Sequence, residues 1–224
     1  MKQFILLFIS LGIALNIQAQ SPREQIVQHI QTFDQCQSVA ITKSNGNALI
    51  YGQNEWIADE CPHLFTEALY ELNAHKDTLQ DIHLTDLGRW LVLYNNNSVK
   101  YDLLYENLKL KIASCQEDGE KITTVTFNDI GDWIVITDKQ ISASSDMLMA
   151  WVSEGCEKFG QVWTACITDD AAVVVYEYGF RFYGNVPEDL KETLRACKND
   201  VYTVKISGDA WLFRCTNNTG FYNL

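Results

Sequence analysis

TVTFNDIGDWIVIT, residues 124–137, is the stretch on which the reading of this chain turns. Val125 and Phe127 alternate with Thr124, Thr126 and Asn128, the period-two pattern of a half-buried strand. Asn128 to Asp132 carries turn residues, Gly131 among them, and Trp133 to Ile136 is an unbroken apolar run. The stretch therefore reads as strand, turn and a second strand covered on both faces. The arrangement recurs as SVAITKSNGNALIY from Ser38, DIHLTDLGRWLVLY from Asp81, TACITDDAAVVVYE from Thr164 and TVKISGDAWLFRC from Thr203. Aligned on the start of the second strand, Ala48, Trp90, Trp133, Val173 and Trp211 lie 42, 43, 40 and 38 residues apart. A period of this size marks a repeat architecture in which each unit buries its apolar face against the next.

A helical pattern precedes each hairpin. Ile26, Ile30 and Phe33 fall at helical spacing, as do Phe65, Ala68, Leu69 and Leu72, and then Leu104, Leu108 and Ile112. Leu148, Trp151 and Val152 repeat it, followed by Leu190, Leu194 and Cys197. Pro62 and Pro187 stand near two helix starts, and Ser144, Ser145 and Asp146 offer caps for the fourth helix. Aromatic-rich pieces follow four hairpins and are candidates for a third strand: Trp56-Ile57, Val99-Lys100-Tyr101, Phe180-Arg181-Phe182 and Phe221-Tyr222. The predicted class is an α+β repeat of five helix-plus-β-hairpin units, at about 22–58, 59–101, 102–142, 143–184 and 185–224, forming one domain over 20–224. An open αβ solenoid needs end repeats with a polar outer face. The last unit, with Trp211, Leu212, Phe213, Phe221 and Tyr222, is as apolar as the middle ones. That favours closure into a five-bladed, propeller-like αβ toroid.

The Gly-turn-Trp pattern, carried best by GDWIVIT from Gly131 and GRWLVLY from Gly88, resembles repeats of uncharacterised exported bacterial proteins. It also resembles a domain of unknown function appended to some plant casein-kinase-like kinases. All five units show the repeat, with Ala48 in the first and Val173 in the fourth in place of Trp. The resemblance implies a repeat style and carries no active site. The count of five αβ units is also similar to the pentein fold of guanidine-modifying enzymes, with no motif in common.

Residues 1–19 read as a secretory signal peptide: Lys2, an apolar run from Phe4 to Leu15, then a small-residue end at Ala19. A run of about 12 residues is short for a membrane span of ~20. The Ala-Gln ending resembles leaders of Bacteroidota-type bacteria, so the expected address is periplasmic or secreted. The 17 Lys and Arg against 29 Asp and Glu give a formal charge of −12. That balance argues against nucleic acid and against docking on anionic lipid. Seven cysteines, Cys36, Cys61, Cys115, Cys156, Cys166, Cys197 and Cys215, lack any CxxC spacing, and histidine is scarce. Neither a metal site nor a cofactor is expected. In an oxidising compartment one or two disulfides are permitted, and burial as small apolar residues is the equal alternative.

One face of the first strands is core: Val39/Ile41, Ile82/Leu84, Val125/Phe127, Ala165/Ile167 and Val204/Ile206. The other carries Ser38/Ala40/Thr42, Asp81/His83/Thr85, Thr124/Thr126/Asn128, Thr164/Cys166/Thr168 and Thr203/Lys205/Ser207. In a ring these polar faces would line a mouth or channel whose middle tier is Ala40, His83, Thr126, Cys166 and Lys205. A thiol, an imidazole, an ammonium and the Asp81 carboxylate would converge there, and His83 or Lys205 could activate Cys166 as thiolate. The bland reading is a solvated strand face, rich in Thr because Thr suits strands. Trp90, Trp133 and Trp211 occupy equivalent sites and read as core. Asp86, Asp129, Asp169, Asp170 and Asp209 read as residues satisfying their own turns. Asn96-Asn97-Ser98 and Asn217-Asn218-Thr219 fit the glycosylation sequon, which matters only on a eukaryotic secretory route.

The expected function is a binding scaffold that presents a Thr-rich rim or channel to a protein, a glycan or a small polar ligand. Its candidate binding residues are Thr85, Thr126, Asn128, Thr168 and Ser207. The alternative is a thiol-dependent hydrolase or transferase using Cys166 with His83, with Asp81 and Lys205 beside them. That chemistry requires an accessible Cys166 with a depressed pKa.

Overall fold

The computed structural model describes residues 22–32, 36–44, 46–216 and 219–224. The leader expected over 1–19, Phe33 and the sequon residues Asn217 and Asn218 lie outside the described residues. The first unit is α1 (Pro22–Thr32), β1 (Cys36–Ile41), β2 (Asn47–Tyr51) and β3 (Glu55–Asp59). The second is α2 (His63–His75), β4 (Leu79–Leu84), β5 (Trp90–Tyr94) and β6 (Ser98–Asp102). The third is α3 (Glu106–Glu117), β7 (Ile122–Phe127), β8 (Trp133–Thr137) and β9 (Ile141–Ala143). The fourth is α4 (Asp146–Phe159), β10 (Val162–Ile167), β11 (Ala171–Tyr176) and β12 (Gly179–Gly184). The fifth is α5 (Glu188–Ala196), β13 (Val201–Ser207), β14 (Ala210–Cys215) and β15 (Gly220–Asn223).

Each unit is a helix followed by a three-stranded antiparallel sheet in sequence order, so the hairpin unit gains a strand in all five cases. The aromatic pieces fall in β3, β6, β12 and β15. The short strand β9 carries no aromatic residue, which is why its sequence does not announce it. Gly88, Gly131 and Gly208 turn the first hairpins at φ of 79°, 108° and 59°, where a Cβ would be strained. Ser145 caps α4 by accepting the Leu148 amide at 3.2 Å.

The helices sit in the wedges between sheets. Phe65, Leu69 and Leu72 of α2 join Ala48 and Ile50 of β2 to Ile82 and Val92 of the next unit. Leu108 and Ile112 of α3 likewise join Leu91 and Leu93 to Val125 and Val135. Val152 of α4 joins Ile134 and Ile136 to Val174. Leu190 and Leu194 of α5 join Val173 and Val175 to Phe213. Ile26 and Ile30 of α1 then join Val39 and Leu49 to Ala210 and Leu212 of the last unit. No single sheet is self-sufficient: every apolar face is completed by a neighbour, the behaviour expected of repeats. Among the described residues no helix is long and apolar enough to cross a membrane.

The first strands lie innermost. β1 lies against β4, β4 against β7, β7 against β10, β10 against β13, and β13 against β1. All five carry a register shift after their first residue, leaving Gln37, Gln80, Thr123, Trp163 and Tyr202 without a ladder partner. Such a bulge bends the strand and re-aims its side chains.

Candidate functional site

The five innermost strands bring the polar tier to the axis as their register implies. Ala40, His83, Thr126, Cys166 and Lys205 are all buried there, and none is more than 6% exposed. Lys205 Nζ donates to Asp81 Oδ1 and to the Ile82 carbonyl, each at 2.8 Å. Asp81 Oδ1 also accepts the Ser38 hydroxyl at 2.5 Å. Thr126 Oγ1 accepts the Ile167 amide at 3.0 Å across the gap between units. His83 Nε2 lies 2.6 Å from the Phe127 carbonyl, which makes this nitrogen the protonated donor. Its ring tilts onto Phe127 with centroids 4.4 Å apart.

Where a mouth or channel was expected, Ala40, His83, Cys166 and Lys205 line a cavity of only about 40 Å³, and Thr126 is not in its lining. The His83 imidazole and the Lys205 side chain are 6% and 5% exposed, so little open space remains beside them. Burial, and then the Lys205 charge, bring the His83 imidazolium down to about 4, so the ring is neutral at pH 7. Burial pushes the Cys166 thiol up, against the pull of Lys205. Access and thiolate character, the two conditions for thiol catalysis, are therefore not met at Cys166 in this structure. Among the described residues no cluster of His, Cys, Asp or Glu is arranged to hold a metal ion.

At the turn end the same cavity is lined by Thr85, Asn128, Thr168 and Ser207, with Asp86, Asp129 and Asp169 beside them. Its volume is room for a few waters. Three of its polar side chains are already engaged. Thr85 donates to Asp129 at 2.6 Å, the Asn128 amide reaches the Thr168 carbonyl at 3.2 Å, and Thr168 donates to Asp170 at 3.1 Å. The turn aspartates were expected to satisfy their own turns. Instead, three of them hold the turn of the preceding unit. Asp86 accepts the Lys43 amide at 2.6 Å, Asp129 the Leu87 amide at 3.0 Å, and Asp169 the Asp129 amide at 2.8 Å.

The roomier mouth lies at the bulge end, a pocket of about 350 Å³. Four bulge residues, Gln37, Gln80, Thr123 and Tyr202, form its rim, while Thr124, Thr164 and Thr203 form its throat and Asp81 its floor. The throat threonines are buried, and among the described residues their hydroxyls have no hydrogen-bond partner. Sequence reasoning placed these residues on the polar face but did not single them out. The available signal was a hydroxyl residue at the same repeat position in four units: Ser38, Thr124, Thr164 and Thr203. Trp90, Trp133 and Trp211 are core side chains, as expected. Trp151 is half-buried beneath the Arg181 guanidinium, 5.0 Å from its ring centroid.

No protein-family model matches the chain, and no curated protein matches it. A solved structure described as "Streptogramin B lyase structure" is similar to it at 9% identity and a TM-score of 0.31. The similarity covers 84% of this chain and 65% of the other, less than two thirds of that protein.

Proposed function

We propose that the chain is an exported scaffold, closed into a five-unit toroid, that binds a small neutral polyhydroxylated ligand of saccharide type in the bulge-end mouth. The observation that carries this reading is the set of unpartnered hydroxyls on Thr124, Thr164 and Thr203 around a pocket of about 350 Å³. A hydroxyl both donates and accepts, so three of them converging on one space suit a ligand that does the same. The volume falls at the small end of the range of about 300–1,000 Å³ typical of ligand sites. The Asp81 carboxylate at the floor is neutralised by Lys205 at 2.8 Å, and the remaining charge in the lining is the solvent-exposed Lys121 ammonium. The formal charge of −12 further disfavours anionic ligands. Closure is supported by the contact of β13 with β1 and by the α1 cluster that spans the last and first units. Export is supported by the leader-like residues 1–19.

Calorimetric titration with neutral mono- and disaccharides tests the reading. Thr164→Val and Thr203→Val should each weaken binding by up to about tenfold, the worth of one neutral hydrogen bond. Both variants should fold normally, because the deleted hydroxyls have no partner within the protein. Thr85→Val, at the opposite end, should leave affinity unchanged. Absence of saturable binding across the panel, or affinity indifferent to the two throat substitutions, would overturn the proposal.

A further inference from the structure

Cys197 forms the C-cap of α5, and Cys215 ends β14 in the same unit. Their sulfurs lie 3.4 Å apart, in van der Waals contact, across 18 residues of sequence. We propose that this pair is a covalent modification site: a disulfide oxidant links Cys197 to Cys215 and staples the fifth unit's helix to its middle strand. The two thiols sit on elements packed in one core with Leu190, Leu194 and Phe213. From 3.4 Å the sulfurs have little more than 1 Å to close to the ~2.05 Å of a disulfide.

The exposures set the order of events. Cys197 is half-buried and Cys215 is buried, so an incoming small disulfide such as oxidised glutathione meets Cys197 first. The Cys197 thiolate attacks one glutathione sulfur, forming a mixed disulfide and expelling one glutathione thiolate. Cys215 then gives up its proton and attacks Cys197 Sγ, expelling the second glutathione thiolate. Two protein thiols are oxidised to one disulfide, and one glutathione disulfide is reduced to two thiols. Burial and the neighbouring Cys197 hold the reduced Cys215 thiol up at about 11, which makes it the resolving partner.

The position gives the link a purpose. Tyr202 donates to the Cys36 carbonyl at 3.1 Å, joining the fifth unit to the first, and the Arg214 Nε donates to the Tyr202 oxygen at 3.4 Å. A staple ending at Cys215, next to Arg214, therefore stiffens the unit that meets β1. Cys36, whose carbonyl accepts the Tyr202 hydroxyl, is the competing thiol.

The test uses the full chain, purified reduced and then equilibrated with a glutathione redox mixture. Intact mass should fall by two hydrogens, and unreduced peptide mapping should recover Cys197 linked to Cys215. Adding a phosphine reductant should lower Tm by about 6–12 °C, the effect of opening a loop of this length in a domain of this size. Cys197→Ser should abolish both the link and the reductant sensitivity, whereas Cys61→Ser should keep both. The proposal is overturned if both thiols still alkylate after equilibration, if Cys215 links to Cys36 instead, or if Tm ignores the reductant. It does not depend on the saccharide reading, and neither result bears on that one.

Discussion

Lys205→Met removes the cation at the centre of the axis, where the Lys205 and Asp81 side chains are 6% and 12% exposed. The substitution keeps the length and apolar stem of the side chain, so the packing loss is small. What it deletes is the 2.8 Å contact to Asp81 and the 2.8 Å bond to the Ile82 carbonyl. The Asp81 carboxylate is then left with the Ser38 hydroxyl as its remaining side-chain partner. Removing one member of a buried ion pair costs about 3–5 kcal/mol, most of it the penalty of the stranded charge. For a domain of this size that is a fall in Tm of about 6–20 °C. The double substitution Asp81→Leu with Lys205→Met removes both charges and should recover most of the loss. Urea unfolding at pH 7, followed by tryptophan fluorescence, measures the double variant and the two single variants, Lys205→Met and Asp81→Leu. A single-variant loss below about 1 kcal/mol, or a double variant as unstable as the two singles added, would mean that the pair is solvated and not buried as described.

Two further outcomes follow from the same tier. His83 titrates at about 4 in the fold against an unfolded value of 6.5. The unfolded chain therefore binds the proton that the fold refuses, so this contribution is complete above pH 6.5 and is lost as pH falls through 6.5 toward 4. The loss reaches about 3 kcal/mol, and His83→Gln should flatten that part of the stability-against-pH curve. An unchanged slope in the variant would show that the ring is not desolvated. Cys166, buried and with its thiol pushed up, should resist iodoacetamide from pH 6 to 8 in the native protein and react only after urea. Rapid native labelling near pH 6, abolished by His83→Ala, would restore the thiol-enzyme alternative.

The fold was legible because its signals are local and repeated. The steps of about forty residues between Trp90, Trp133 and Trp211, the turn glycines before them and the helical stripes such as Phe65-Ala68-Leu69-Leu72 each need only a short window. β9 escaped because three half-buried residues without an aromatic make no pattern. The shared face of Asp81, His83, Cys166 and Lys205 was also legible, since period-two register places His83, Cys166 and Lys205 at equivalent positions and Asp81 two residues before His83 on the same face. How much open space that face bounds depends on how closely the five first strands approach one another, and no linear pattern encodes that spacing. The latching aspartates were misread because Asp86 and Asp129 bond amides 43 and 42 residues away, while a turn rule looks only at neighbours. The bulges were invisible for a related reason: the unpaired state of Gln80 or Tyr202 is a property of two strands together. Without the bulge, the throat of Thr124, Thr164 and Thr203 does not stand apart from the rest of the polar face.

The most direct test of the central claim is NMR mapping of amide shifts while a panel of neutral saccharides is titrated into the full chain. The account predicts saturable shifts concentrated at Gln80, Thr123, Thr124, Thr164 and Thr203, with the amides of Thr85, Asn128 and Thr168 at the turn end unmoved. Shifts confined to the turn end, or no saturable shift with any saccharide, would contradict it.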